Sequence, residues 1–287
     1  MPTANMRSLK ILYKRLRTLA KAVKSDYRFS LSDYLIYLGF AEYPGFRIQF
    51  PTIHVHNDSV KFKQLKIANS FYYWPTAISF DGLDWMHQEV FAPASRNFHA
   101  YEFGGTRIAS GDYVIDAGAC EGFFTRYALQ RSARVLVIEP VVELTKALRL
   151  TFSKEIAEGK VEVSHLALAE KSGQARYHED PDHLYESRIS KTGSNIQVMA
   201  LDDLIGDDRV HFIKMDVESA EVNAILGASR IIAEQKPCLS IAVYHEVENA
   251  HKICSILREL RPDYNILHRG IFAWEGCTPR PFMVYAW

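Results

Sequence analysis

Val114-Ile115-Asp116-Ala117-Gly118-Ala119-Cys120-Glu121-Gly122 is the stretch that decides the fold. An apolar run ends in a carboxylate, passes into small residues and two glycines, and meets Phe123-Phe124-Thr125 at the start of an apolar helix. This is the order of a buried strand, a tight turn and a crossover helix in an open α/β sheet, where strand ends border the ligand crevice. Glycine in the turn lets backbone approach a ligand closely. The spacing Asp-x-Gly-x-x-x-Gly is not the Gly-x-Gly-x-x-Gly pattern that seats a pyrophosphate, so a nucleoside-like cofactor without phosphates fits better.

Outward from this turn, apolar runs alternate with helix-length segments, as in a parallel sheet with crossover helices. Strands are predicted at 113–116, 135–139, 161–166, 211–215, 238–244, 265–268 and 282–286. Helices are predicted at 123–130, 143–157, 221–233 and 250–260. Extra strands at 174–178 and 197–200 flank a polar loop over 179–195. The expected fold is α/β, a Rossmann-like seven-stranded sheet with helices on both faces, occupying residues 101–287. Residues 1–100 are expected to form a basic helix and a small aromatic-rich α+β cap, with short alternating runs at 47–50 and 53–56.

Several strand ends carry groups suited to chemistry. Asp116 and Glu139, 23 residues apart, stand where consecutive strands of a βαβ unit end, and a carboxylate in the second position can accept hydrogen bonds from both ribose hydroxyls. Lys214-Met215-Asp216-Val217-Glu218-Ser219-Ala220-Glu221 places three carboxylates at the next such edge. Asp216 or Glu218 could hold the cationic end of a cofactor or orient an acceptor hydroxyl, whereas Glu218 and Glu221 could instead favour a helix N-terminus. His245, at the end of the following strand, is a candidate general base because an ordinary histidine titrates near neutrality. His183, Tyr185 and Ser187 in the polar loop are candidate substrate contacts. The carboxylates converge without a spacing that compels a metal site.

With these residues in place, 113–245 resembles the FkbM family of S-adenosylmethionine-dependent methyltransferases. Asp116 to Thr125 resembles the family's Asp-Val-Gly-Ala-Asn-x-Gly-x-Phe-Thr loop, and Ile138-Glu139-Pro140 its ribose-binding Glu-Pro. Ala167-Leu168-Ala169 with Gly173 corresponds to the segment beside the adenine, and Leu201-Asp202-Asp203-Leu204 matches Leu-Asp-Asp-Leu. Ile213 to Glu221 resembles Ile-Lys-Ile-Asp-Val-Glu-Gly-Ala-Glu, followed by Leu226-Gly227-Ala228. Cys120 stands where the family has Asn, and Ser219 where it has Gly. The resemblance implies S-adenosylmethionine as cofactor, held by Asp116, Gly118, Gly122, Glu139, Ala167, Leu168 and Asp216. It also implies methylation of a hydroxyl on a sugar, glycan, glycolipid or related metabolite. An Asn-Pro-Pro-aromatic motif, usual for N-methylation of bases, is missing from the fourth strand end. The rival readings are a NAD-dependent oxidoreductase, weakened by the missing pyrophosphate fingerprint, and a non-catalytic nucleoside-binding module in a glycan assembly complex, supported by Cys120 and Ser219.

Composition narrows the partners. Lys plus Arg and Asp plus Glu each number 34, so no global field draws in nucleic acid and a small or glycan substrate is expected. Four dispersed cysteines form no CxxC pair and fit a reducing, cytoplasmic setting, and neither a membrane-spanning run nor a secretory signal is legible. The basic residues Arg7, Lys10, Lys14, Arg15, Arg17, Lys21 and Lys24 precede the first acid, Asp26, and interleave with leucines at helical spacing. Such a helix, over 7–24, either packs its leucine face on the main domain or lies peripherally on an anionic membrane. Its acid-poor composition also resembles an organelle transit peptide.

Overall fold

The structure, a computed structural model, describes residues 3–39, 51–179, 187–273 and 277–287. The run predicted at 47–50 and the candidates His183 and Tyr185 lie outside them. Helices α1 (Thr3–Val23) and α2 (Leu31–Gly39) come first, then an antiparallel sheet of β1 (Ile53–Asp58), β2 (Phe62–Ile67) and β3 (Ser70–Pro75), then α3 (Leu83–Phe91). The large sheet begins with β4 (Tyr113–Ala117), followed by α4 (Phe123–Leu129), β5 (Arg134–Ile138), α5 (Val142–Thr151), α6 (Ser153–Ala157) and β6 (Val161–Ser164). An insertion holds β7 (Ala167–Leu168), β8 (Gly173–His178), β9 (Arg188–Ser190) and β10 (Ser194–Met199). Then come α7 (Leu201–Ile205), β11 (Phe212–Met215), α8 (Glu221–Leu226), α9 (Ser229–Gln235), β12 (Cys238–Ala242), α10 (Asn249–Leu260), β13 (Ile266–Arg269) and β14 (Met283–Ala286).

The seven-stranded sheet has the order β13-β14-β12-β11-β4-β5-β6. From β12 to β6 all pairings are parallel, and β14 runs antiparallel to both of its neighbours. Strand order reverses between β4 and β11, so their carboxyl ends form the crevice that such sheets use for ligands. Alternate residues of each strand enter opposite cores, because side chains alternate across a pleated strand. Ile115, Leu136, Ile138, Ile213 and Ile241 join Ile225, Ile231, Ile253 and Leu257 from α8–α10. Val114, Val135, Val137 and Phe212 join Phe123, Phe124, Leu144 and Leu148 from α4 and α5. The N-terminal elements divide between these faces: Ala22, Tyr27 and Phe29 enter the first core, and Leu65, Ile67, Tyr72 and Trp74 the second. The Tyr73 amide donates to Thr151 Oγ1 at 2.8 Å, tying β3 to α5.

The seven predicted strands are all present, and four segments depart from expectation. The helix predicted at 143–157 breaks at Phe152, which is fully buried where a Cβ on Gly122 would come within 2.7 Å of its ring. The helix predicted at 221–233 breaks at Gly227, where a Cβ would lie 2.1 Å from the Ala169 carbonyl. Its second half starts on Asp202, whose carboxylate accepts from the Arg230 and Ile231 amides at 2.7 and 3.0 Å. The strand predicted at 161–166 stops at Ser164, and β7 pairs with β10 in a separate four-stranded sheet. Within the predicted polar loop, β9 pairs with β8, and β10 begins at Ser194 rather than Gln197.

The leucine stripe of α1 packs on the main domain only in part, through Leu19, which is half-buried against the first core. Leu12, Leu16 and Val23 are exposed, while Ala22 on another face is buried. Among the described residues, no helix is long and apolar enough to cross a membrane. Phe152 bridges the glycine turn and the α5–α6 break, so Phe152→Ala is expected to destabilise the protein by about 3–5 kcal/mol in urea unfolding. A loss below about 1 kcal/mol would show that the break is not organised by this ring.

Candidate active site

The ends of β4, β5 and β11 open onto a crevice with about 1030 Å³ of space between atoms, mouth included. Ile138, Leu144, Leu166 and Leu168 supply apolar wall, and Gly118, Cys120, Glu121 and Glu139 the polar edge. Ala167 and Leu168, on β7 of the small sheet, line it as well.

Gly118 has φ 74°, and a Cβ there would lie 1.8 Å from the Asp216 carbonyl oxygen. Only glycine lets the β4 turn sit directly against the end of β11. Glu139 spans from β5 to the same turn: its Oε2 accepts from the Cys120 amide at 2.8 Å, and its Oε1 from the Val141 amide at 2.9 Å. Each oxygen retains a lone pair for a further donor. Glu139 is 4% exposed, and burial lifts its carboxyl to about 7. Burial also raises Glu121 and Glu89, so the crevice is rich in carboxyl groups that a cationic ligand would stabilise in ionised form.

Asp116 and Gly122 do not line the crevice. Asp116 is fully buried behind the turn, where Oδ2 accepts from Thr125 Oγ1 at 2.5 Å and Oδ1 lies 3.1 Å from Lys214 Nζ. Its side chain turns toward the β11 lysine instead of the crevice. Gly122 has φ 84° and makes room for Phe152 and Leu148. Both residues therefore shape the turn behind the crevice. Lys214, given no role by the sequence reading, also donates to the carbonyls of Gly118 and Ala117 at 2.5 and 3.2 Å. Burial disfavours its charge, and the carboxylates of Asp116 and Asp216 more than compensate, keeping its pKa raised.

At the other end of the crevice stand Asp216, Glu218, His99, Tyr101 and Tyr244. Tyr101 donates to Asp216 Oδ2 at 3.1 Å. Burial opposes ionisation of Asp216, but His99, His245 and Lys214 outweigh it and lower the pKa. His245 lies behind this wall, with Nδ1 2.9 Å from Glu221 Oε1 and Nε2 3.3 Å from Glu218 Oε2. Burial alone would lower its pKa, yet Glu218 and Glu221 hold it up to about 11. A histidine surrounded by acceptors keeps its proton, which argues against the general-base role expected of it. His99, by contrast, is pushed down to about 4 by burial and is neutral at ordinary pH.

Ser187 is buried on the crevice wall, beside Tyr177 and Ile189 from the small sheet. Met86, Glu89, Val90, His99 and Tyr101 enter from the chain ahead of β4. The aromatic density of that region was the only available signal for them, since no motif spacing links them to the strand ends.

The two departures from the family motif fall on left-handed backbone. Cys120 has φ 47° and Ser219 φ 71°, with Glu218 between β11 and Ser219 at φ 49°. Asn and Gly tolerate this region better than Cys and Ser. Ser219→Gly is expected to stabilise the protein by about 1 kcal/mol in urea titration, and a destabilisation would show that the long hydrogen bond from Ser219 Oγ to Glu246 Oε1, 3.4 Å, outweighs the backbone strain. Glu139 gives a pH signature. A carboxyl raised in the folded state contributes stability that is complete below its unfolded pKa and lost as pH rises through the folded value. The ligand-free protein is therefore expected to lose stability from about pH 5 to 8, and Glu139→Gln to flatten that slope. An unchanged slope in the variant would contradict this.

The family model described as "Methyltransferase FkbM domain" matches residues 116–264, just over half of the chain. The crystal structure of methyltransferase FkbM from Methylobacillus flagellatus KT is similar at a TM-score of 0.51 and 23% identity, over 70% of this chain and 48% of that one. This chain thus spans about half the length of that protein, and the likeness establishes the Rossmann-like fold. A SAM-dependent methyltransferase from Aquifex aeolicus (TM-score 0.38, 17% identity, 70% of this chain and 91% of that one) is more distant. So is a precorrin-6y C5,15-methyltransferase from Geobacter metallireducens (TM-score 0.37, 16% identity, 63% and 82%). No functionally curated protein sequence matches the chain.

Proposed function

The chain belongs to the FkbM methyltransferase family, and on that footing we propose that its crevice binds S-adenosylmethionine and methylates a hydroxyl of a sugar, glycan, glycolipid or related metabolite. The observation that carries this reading is Glu139: a buried carboxylate at a strand end, fixed by two backbone amides beside a glycine turn that a Cβ would close. The same carboxylate suits ribose hydroxyls, with Ala167 and Leu168 beside an adenine and Asp216 toward the cationic end. A carboxyl-rich crevice suits a cation. When bound, the cofactor supplies a methyl group activated by a sulfonium.

What the chain supplies is alignment and a proton acceptor. Asp216 is held ionised, and its Oδ1 has no hydrogen bond, leaving it able to take the proton of an acceptor hydroxyl. Glu218 lines the same wall and is the alternative acceptor. His245 serves both as a positioning residue, set by buried Glu221. Tyr101, Tyr177, Tyr244 and Met86 give this end faces against which a sugar ring can stack, and Ser187 a polar contact beside them. Hydroxyl acceptors are favoured because the β11 end presents carboxylates where N-methylation of bases uses Asn-Pro-Pro-aromatic.

Titration calorimetry and mass spectrometry test the two halves. S-adenosylmethionine is expected to bind, with Glu139→Gln weakening it at least about tenfold, the scale of one charge-assisted hydrogen bond. A 14 Da gain is expected on an acceptor from glycan or metabolite extracts, with Asp216→Asn lowering turnover about 100-fold or more. Selective binding of NAD(H), or binding without transfer to any acceptor, would refute the proposal.

A further inference from the structure

Asp216, Glu218 and His245 turn one ligand-type atom each toward a common point. His245 Nε2 lies 3.5 Å from Asp216 Oδ1 and 3.3 Å from Glu218 Oε2, and the three atoms all fall within 4.8 Å of one another. Ligands held about 2.0–2.2 Å from one ion stand roughly 3.0–3.6 Å apart in octahedral or tetrahedral geometry, so two of these pairs are already spaced for coordination. The far nitrogen of the ring completes the pattern. Nδ1 is 2.9 Å from Glu221 Oε1, and Glu221, fully buried, is itself fixed by the Val217 amide and the Asn249 side chain. A carboxylate behind a histidine in this way fixes the tautomer that presents Nε2 to an ion.

Two further observations point the same way. Asp216 Oδ1 is buried without a hydrogen bond, although nearly all such atoms find one. His99, whose side chain is 3% exposed, has no hydrogen-bond partner at either ring nitrogen, and its Nε2 is aimed at Asp216 Oδ2 from 3.5 Å. A second imidazole thus faces the cluster, with Glu89 Oε2 3.7 Å from its Nδ1 and no hydrogen bond at its Nε2.

We propose that Asp216, Glu218 and His245 bind one divalent transition-metal cation at the acceptor end of the crevice, with His99 beside it as a further donor. Mixed nitrogen and oxygen ligands suit Mn²⁺, Fe²⁺, Co²⁺ or Zn²⁺ rather than Mg²⁺ or Ca²⁺, which favour oxygen alone. Asp216 then reaches an acceptor hydroxyl through the ion, which makes that hydroxyl more acidic.

The test uses the full chain after chelator treatment, titrated with Co²⁺ in the visible spectrum and with Mn²⁺ by calorimetry. One ion per chain is expected, with His245→Ala and Glu218→Gln each weakening binding at least tenfold. The wild-type titration decides the matter even if a variant fails to fold. No saturable uptake, a thiolate-to-cobalt band, or a folded His245→Ala with wild-type affinity overturns the proposal. Ion binding is read without methyl transfer, so failure of one leaves the other standing.

A separate observation concerns α1. Leu12, Leu16 and Val23 form one stripe and are 47%, 51% and 70% exposed, with Leu19 beside them half-buried against the first core, while Lys14, Arg17 and Lys21 fall on the opposite side at helical spacing. An exposed apolar stripe with a predominantly basic opposite face complements an anionic lipid surface. We infer that α1 docks there, apolar stripe inward. The full chain is expected to co-sediment with vesicles containing phosphatidylglycerol but not with pure phosphatidylcholine, and Leu12→Glu with Leu16→Glu to abolish this. Equal or no binding to both vesicles overturns the inference, as does a dimer in light scattering that the double variant disperses, since a second copy would then cover the stripe.

Discussion

Lys214 is the constraint on which the crevice depends. A buried ammonium group needs charge and hydrogen-bond partners, and here the nearest carboxylate and both accepting carbonyls come from β4 and the turn after it: Asp116, Ala117 and Gly118. The contact fixes the end of one central strand against the end of the other, at the place where strand order reverses. With the turn so held, Gly118 can lie against the Asp216 carbonyl and the Cys120 amide can reach Glu139. Three strand ends become one rigid seat. A pair of this kind adds little net stability over well-packed apolar residues, but losing one partner strands the other charge, so its value is geometric.

The two ends of the crevice differ in how their charge is managed. At the β5 end, Glu139 is buried with amides for partners and keeps an elevated pKa. At the β11 end, Asp216 and Glu218 face His245, which Glu221 secures from behind. The first arrangement suits neutral hydroxyl donors such as a ribose, and the second suits cations and acidic protons. Residues from ahead of β4, Glu89, His99 and Tyr101, line the second end. This end of the crevice is thus built jointly by the sheet and by chain that lies before the family match.

The large sheet was legible because its strands are buried on both faces and read as apolar runs such as Val135 to Ile138. Helix breaks at Phe152 and Gly227 were not, because each arises from a neighbour distant in sequence, the Gly122 turn in one case and Ala169 in the other. Glu139, Gly118 and Asp216 could be placed from strand ends alone. Asp116 was expected at the crevice but is buried on Lys214 and Thr125, because strand pattern locates a residue at the sheet edge without saying where its side chain turns. Lys214 and His99 went unassigned for the opposite reason: their partners are reached only through folding, Asp116 across a strand pair and Asp216 from 117 positions away.

The central claim, that the β4, β5 and β11 ends seat the cofactor, is tested most directly by a crystal structure with S-adenosylhomocysteine bound. The account predicts ribose hydroxyls on Glu139, adenine against Ala167 and Leu168, and Lys214 still bonded to the Gly118 carbonyl behind the ligand. A nucleoside seated elsewhere, or one that displaces Lys214 from the turn, would contradict it.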